Sequence, residues 1–295
     1  MGRNGQATLP RGPAAVAFFG VIGEAPGVSD YLPIVLVDGE LMARDAATAR
    51  LVDPEVLSAD GLFETMRVEP PQLRAFDEHF ARLAASAHAL GFPVPDRDRL
   101  RAWADALVLA HTLPPNQPLA LRLTLTQQRT WLALRPLVRG RHYGPDLGLE
   151  LHRLPGQRLL PRHKTLAWLP AHRLHPAGRE PRFEGVWLDG DVVLEGHTTS
   201  LFAVIAGVVR TAPLTLPILP GIGRRAALAH LAVLGLPTHE SAFTWSELVH
   251  ADEAYATSAT LGVTPIIAIE GRPKNEGPVT RALRQSLADC GASAE

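Results

Sequence analysis

Lysine is almost missing from this 295-residue chain. Of its 29 basic residues other than histidine only Lys164 and Lys274 are lysines, and the rest are arginines. A guanidinium stays charged, whereas an ammonium gives up its proton readily once buried, so a chain this poor in lysine offers few amines for chemistry. Cysteine is scarcer still. The single Cys290 excludes an intrachain disulfide and a cysteine-based metal cluster, and suits a reducing, cytoplasmic setting. The 12 histidines fall without HExxH or a similar spacing, so no metal is expected. Neither sign of charge dominates: 29 basic against 30 acidic residues gives no overall attraction to nucleic acid or to an anionic membrane. No apolar run approaches the roughly 18 residues that cross a bilayer, and neither an internal repeat nor a low-complexity tract interrupts the chain.

What is present is the composition of a globular protein, 46% hydrophobic and 20% charged, long enough for two domains. PAAVAFFGVIGEA, behind Arg3 and Arg11, resembles the apolar part of an export signal. Glycine/proline-rich sequence follows it instead of a clear cleavage site, so residues 1–30 are expected to be an extension, disordered or adding a strand. IVLVDGEL and GLFETMRVEP read as strands. EHFARLAASAHALGF places Phe76, Phe80, Leu83, Ala87 and Leu90 at steps of three and four, an amphipathic helix ending at Gly91. RDRLRAWADALVLAHTL is a second helix closed by Pro114 and Pro115, and ALRLTLTQ with TWLALRPL read as paired strands. Residues 31–140 are therefore expected to form a small α+β domain. The turn-rich RGRHYGPDLG marks the boundary, and residues 147–295 form a larger α/β domain. In that half GVWLDGDVVLEG is a hairpin turning at Asp189-Gly190-Asp191, LFAVIAGVVRT, EAYATSAT and VTPIIAIEGR are strands, GRRAALAHLAVLG is a helix opening after Gly221, and TRALRQSLADCGA is a terminal helix. A cleft between two such lobes is a usual place for a ligand.

Four features carry possible chemistry. Lys164, in LLPRHKTLAW, has apolar flanks, whereas Lys274 sits in EGRPKNEG, an exposed-turn composition. By itself Lys164 also fits a lysine snorkelling from a half-buried segment. Glu195, in VVLEGHTTSLF, stands at a strand end that turns into small polar residues, a place equally suited to a solvated loop carboxylate. GIGRR gives a glycine-flanked entry to a helix, whose free amides attract anions. Arg82, off the apolar stripe of its helix, reads alone as a surface arginine.

In order, GLFETMRV, EHFARL, HKTL, LEGHTTSLF, GIGR and ADEAYATSATLGVTP resemble the class IV pyridoxal-phosphate aminotransferase and lyase family, across residues 34–272. The resemblance implies an α/β, two-domain enzyme of the branched-chain aminotransferase-like fold type IV, working as a homodimer with pyridoxal 5′-phosphate on a small-molecule amine. It implies that Lys164 is the catalytic lysine, bound to the cofactor aldehyde and then moving protons at the substrate carbon. Glu195 would pair with the pyridine nitrogen, Arg82 and the amides of Ile222 and Gly223 would hold the phosphate, and Ser258 and Ala259 would line the cofactor. Arginine matches neither task of Lys164, which is why that amine is retained.

The departures point within the family. Gly223 stands where threonine is usual, and Ser200 where asparagine is usual. TSATLGVTP replaces the transaminase-like TGTAAEVTP and is similar to the corresponding segment of aminodeoxychorismate lyases. The implied reaction is elimination of pyruvate from 4-amino-4-deoxychorismate to give 4-aminobenzoate, a folate precursor. Arg122, or an arginine of the 138–141 loop, is expected to hold the substrate carboxylate. That loop reads VRGR, so position 138 itself is Val138 and the guanidiniums on offer are those of Arg139 and Arg141. The alternatives are an aminotransferase for branched-chain or D-amino acids and a catalytically silent relative, the latter disfavoured by retention of both Lys164 and Glu195.

Overall fold

The computed structural model describes residues 31–113, 117–137, 148–154, 156–167 and 183–292. The expected extension over 1–30, the helix-closing Pro114 and Pro115, most of the expected boundary and the 138–141 loop lie outside the described residues.

The first half builds an antiparallel sheet in the order β2-β1-β6-β5-β3-β4, from β1 (Ile34–Val37), β2 (Glu40–Ala43), β3 (Leu62–Glu69), β4 (Gln72–Leu73), β5 (Leu119–Leu125) and β6 (Thr130–Pro136). IVLVDGEL, expected as one strand, is a hairpin. Asp38 and Gly39 both take positive φ, 50° and 96°, the primed-turn conformation whose twist matches that of paired strands. Alternation on β3 sends Leu62, Glu64, Met66 and Val68 inward, where all four are buried. Together with Leu119, Leu121, Leu123, Leu125, Leu132 and Leu134 of the neighbouring strands, the apolar members pack under α2 (Phe76–Leu90) and α3 (Arg97–Leu109), while the short α1 (Pro54–Leu57) stays outside this core. Each fully buried leucine contributes roughly 2 kcal/mol. The expected stripe on α2 is the one used: Phe76, Leu83 and Ala87 are buried and Phe80 and Leu90 pack beside them. The helix ends at Gly91, whose φ of 76° favours glycine. The opposite face of the sheet carries Phe63, Thr65, Arg67, Arg122, Trp131 and Arg135, which occupy the alternate register positions.

The second half is a mixed sheet in the order β12-β11-β10-β13-β14-β7-β8-β9. Its strands are β7 (Leu149–Leu154), β8 (Phe183–Asp189), β9 (Val192–Gly196), β10 (Ser200–Ile205), β11 (Val208–Thr211), β12 (Thr238–Glu240), β13 (Glu253–Ser258) and β14 (Gly262–Ile269), with β15 (Arg272–Pro273) paired to β14. LFAVIAGVVRT is again two strands, turning at Ala206 and Gly207 with φ of 50° and 77°. The run looks uniformly apolar because both faces of β10 are covered. Leu201 and Ala203 enter one core beside Phe243, Trp245 and Leu248 of the loop into and through α5 (Trp245–His250). Phe202 and Val204 enter another with Ala227 and Leu231 of α4 (Ile222–Val233) and Leu283 of α6 (Pro278–Ala292).

Several contacts stitch the halves together. The backbone of Lys164 and Leu166 pairs with the start of β3: the Phe63 N–H donates to the Lys164 carbonyl and the Leu166 N–H to the Gly61 carbonyl, both at 2.9 Å. A Cβ at Gly61 would lie 2.9 Å from the Leu125 carbonyl oxygen as well as 2.7 Å from Leu166 Cδ1, and because the carbonyl is backbone the close approach needs glycine there. Beyond it, Arg67 Nη1 donates to the Thr260 carbonyl at 2.9 Å. Lys274, expected on an exposed turn, is half-buried, and its ammonium donates to the Val249 and Ala251 carbonyls at the end of α5.

Candidate active site

Lys164 lies on the seam, half-buried, with Nζ 4.5 Å from the centroid of the Phe63 ring. Its carbonyl is committed to β3, so the backbone fixes where the amine emerges. The preceding residue is fixed as well: His163 Nδ1 lies 3.1 Å from Ser86 Oγ on α2. Burial pushes the Lys164 ammonium down to about 7, helped by the positive charges of Arg82, Arg158 and Arg122 and opposed by Glu64. A substantial share of this amine is therefore unprotonated near neutrality, as a nucleophile or proton carrier requires.

Arg82 is not a surface arginine. Its side chain is 10% exposed and forks onto Glu64 of β3, while its Nη1 donates to the Pro220 carbonyl at 3.0 Å. His79, one turn earlier on α2, brings Nδ1 within 2.7 Å of Glu64 Oε2. Burial alone would keep Glu64 protonated, but the Arg82 charge and hydrogen bonds outweigh it and hold the carboxyl down to about 2. The motifs do not single out Glu64. Its signal is nonetheless in the chain: it is a carboxylate in the inward register of an otherwise apolar strand face.

Glu195, at the end of β9, is 5% exposed, not a solvated loop residue. Its Oε2 accepts from the Leu219 N–H at 3.0 Å, and Oε1 lies 3.0 Å from Nε of Arg158. Burial raises it to about 6 in spite of Arg158 and Lys164, which both favour the anion. The turn that follows is tied down by Glu184, which accepts from the Thr198 N–H at 2.7 Å and the Thr199 hydroxyl at 2.8 Å. Arg158 is the second site residue that the motifs leave unmarked, and nothing local in LPGQRLLP distinguishes it.

The cap of α4, Gly221, supplies no side-chain bond to the helix, leaving the first amides, Ile222 and Gly223 among them, for a ligand. A cavity of about 480 Å³ opens beside this helix start, lined among others by Arg82, Ser86, His163, Gly221, Ile222 and Arg225; Lys164, Glu195, Arg122 and Ser258 are not part of its lining. The departure at Gly223 has a steric reason, and Ser200 packs against the neighbouring Gly221. A Cβ at Gly223 would lie 2.9 Å from the Ser258 carbonyl carbon and 3.0 Å from its oxygen, and one at Gly221 would lie 2.5 Å from Ser200 Oγ. The helix start is thus pressed against Ser258, with Ala259 next in the same half-buried turn. That turn closes at Gly262, whose φ is 66°.

Arg122 stacks its guanidinium 3.5 Å from the Phe63 ring centroid, and burial lowers it to about 10. Among the described residues no hydrogen-bond acceptor or carboxylate pairs with it. The structure thus gathers Lys164, Arg82, Glu195, Arg122, Ile222, Gly223 and Ser258 around the seam between the sheets.

The family model for class IV aminotransferases matches residues 61–269, a span that begins at the first strand of this site and ends with β14. The chain belongs to the class IV aminotransferase family. It is 34% identical over 279 residues to D-alanine aminotransferase of Staphylococcus aureus, covering 86% of this chain and 96% of that protein. Among solved structures it resembles the branched-chain aminotransferase of Thermoproteus uzoniensis with norvaline at 26% identity and a TM-score of 0.74, over 86% of this chain and 93% of that one. It also resembles 4-amino-4-deoxychorismate lyase of Pseudomonas aeruginosa at 26% identity and a TM-score of 0.70, over 86% and 98%. The fold is accordingly the α/β architecture of fold type IV enzymes, and the class works with pyridoxal 5′-phosphate. The donor set of this class IV chain fits that cofactor: an amine of low pKa, a buried carboxyl, and an uncapped helix start beside a guanidinium.

Proposed function

We propose that this class IV enzyme is a lyase that converts 4-amino-4-deoxychorismate to 4-aminobenzoate and pyruvate. The observation that carries the reading is the turn from Ser258 to Gly262. Where transaminase-like members have glutamate, this chain has Gly262 at a φ of 66°, a conformation that costs a side-chain-bearing residue about 1 kcal/mol. A glutamate at this position would have to take up that strain, which favours the lyase-like form of the segment.

In this reading Arg82 and the amides of Ile222 and Gly223 hold the cofactor phosphate, Glu195 faces the ring nitrogen, and Ser258 and Ala259 line the ring. When bound, pyridoxal phosphate supplies an aldehyde for covalent attachment and a ring that withdraws electrons from the amine-bearing carbon. Lys164 Nζ, freed of its proton near neutral pH, takes the proton from that carbon. The bond from the neighbouring ring carbon to the enolpyruvyl oxygen breaks, the ring becomes aromatic, and the departing enolpyruvate takes up a proton to become pyruvate. Arg122 holds a substrate carboxylate through its planar fork, with Phe63 fixing the plane of the guanidinium. Arg158 keeps Glu195 oriented and favours its anion.

The second reading, a D-amino-acid aminotransferase, is favoured by the Staphylococcus aureus relative. A homodimer at work in the cytoplasm, with residues 31–140 and 147–295 as its domains, completes the proposal and rests on the family pattern. The test supplies aminodeoxychorismate to wild type and to Lys164→Ala and follows 4-aminobenzoate and pyruvate. Release by wild type alone supports the lyase. Absence of both products, with D-glutamate formed from D-alanine and 2-oxoglutarate, replaces it with the aminotransferase.

A further inference from the structure

The face of the first sheet that looks onto the seam carries three arginines in two adjacent cross-strand rows. Arg67 and Arg135 occupy the two ends of one row, β3 Arg67 to β5 Ala120 to β6 Arg135, and Arg122 occupies the next row, between Thr65 and Ala133. Arg67 is satisfied by Glu69 at 2.8 Å and by the Thr260 carbonyl. Arg122 and Arg135 are not. Both are half-buried, and among the described residues neither meets a carboxylate or a hydrogen-bond acceptor.

Register makes these two guanidiniums neighbours. Arg122 is opposite Ala133, and Arg135 lies two residues further along the same face of β6, a diagonal pair with Cβ atoms roughly 7–8 Å apart. Like charges so placed repel each other: burial lowers Arg122 most, Arg135 adds to that, and Tyr31 and Glu64 oppose it. Other partly buried arginines of the fold, such as Arg82, Arg158 and Arg224, each face a glutamate. Among the described residues neither guanidinium is ion-paired, so each can take an anionic group of a ligand, and two neighbouring forks suit two acid groups on one small molecule.

We propose that Arg122 and Arg135 form a two-point receptor for a dicarboxylic amine, with Arg135 the residue that selects for the second acid group. The inference rests on the reading above in that it places the substrate at Lys164. Arg122, on the Phe63 ring beside Lys164, takes the carboxylate nearer the reacting amine. Arg135, one strand further out on β6, takes the distal one. Aminodeoxychorismate carries two carboxylates, one on the ring and one on the enolpyruvyl arm, whereas D-alanine and branched-chain amino acids carry one.

The experiment titrates the holoenzyme with glutarate and with butyrate as inert competitors, for wild type, Arg135→Leu and Arg135→Gln. Wild type is expected to prefer glutarate by about tenfold or more, and both variants to lose most of that preference. Two variants of different polarity guard against a folding defect in one, with the thermal midpoint and cofactor absorbance of each as controls. Unchanged selectivity in a folded variant overturns the receptor, even where wild type releases 4-aminobenzoate and the lyase reading stands. Lost selectivity in the variants, with no 4-aminobenzoate from wild type, retires the lyase and supports the receptor.

Discussion

Arg82 grips Glu64 with two nearly parallel bonds, Nε to Oε1 at 2.8 Å and Nη2 to Oε2 at 2.7 Å, and this fork joins the core of the first sheet to the rim of the cavity. The pairing leaves Arg82 oriented by a carboxylate from below, with its Nη1 directed to the turn before α4.

Removing that carboxylate strands a buried guanidinium. Glu64→Gln is expected to cost about 3 kcal/mol in denaturant unfolding of the cofactor-free protein. Because the folded pKa of Glu64, about 2, is below its ordinary 4.5, its ionised form stabilises the fold above pH 4.5 and that stabilisation is lost as pH falls toward 2. The variant should lack this part of the acid transition; an acid limb identical to wild type would show that the pair contributes nothing.

Lys164→Arg keeps the positive charge and loses the amine. We expect turnover to fall by about a thousandfold or more and covalent capture of pyridoxal phosphate to disappear. In wild type, capture of the aldehyde should rise with pH through a midpoint near 7, following the lowered Lys164 pKa, and a midpoint near 10.5 would place the amine in bulk solvent.

Restoring the usual threonine at 223 should harm the protein. The new Cβ would sit 2.9–3.1 Å from backbone atoms of Ser258, so Gly223→Thr must push α4 or the 258–262 turn aside at about 1–3 kcal/mol. Weaker cofactor binding and a lower thermal midpoint are expected, and tighter binding from the added hydroxyl would contradict the steric account.

Arg158→Met removes the cation that favours the Glu195 anion. Glu195 should then stay protonated above its present value of about 6, and the acidic limb of the cofactor-binding profile should move to higher pH. Titration of cofactor binding from pH 5 to 8 reads this directly; a limb that does not move removes Arg158 from the site.

Much of this is legible in the chain. The apolar-flanked lysine among arginines, the stripe on α2 with its glycine stop and the glycine entry to α4 each follow from local patterning, which is where sequence speaks most clearly. The hairpin inside LFAVIAGVVRT escapes such a reading because Ala206, a residue with no turn preference, takes a left-handed position, whereas Asp38-Gly39 in IVLVDGEL carries the same turn signal as Asp189-Gly190 and could have been read. Arg82 and Glu195 look solvent-facing in isolation because their partners, Glu64 and Arg158, lie elsewhere in the sequence and only the fold joins them. Lys274 misleads for the same reason, since the carbonyls it caps belong to a separate helix.

The hydrogen bonds from Phe63 and Leu166 that clasp the Lys164 segment make the Lys164 amine a passenger of the smaller sheet. Were the two sheets to move apart, these bonds would carry the amine with Phe63 and Arg122, away from Glu195 and the start of α4. On the proposed roles, such a movement would part the proton carrier from the groups that hold the cofactor ring.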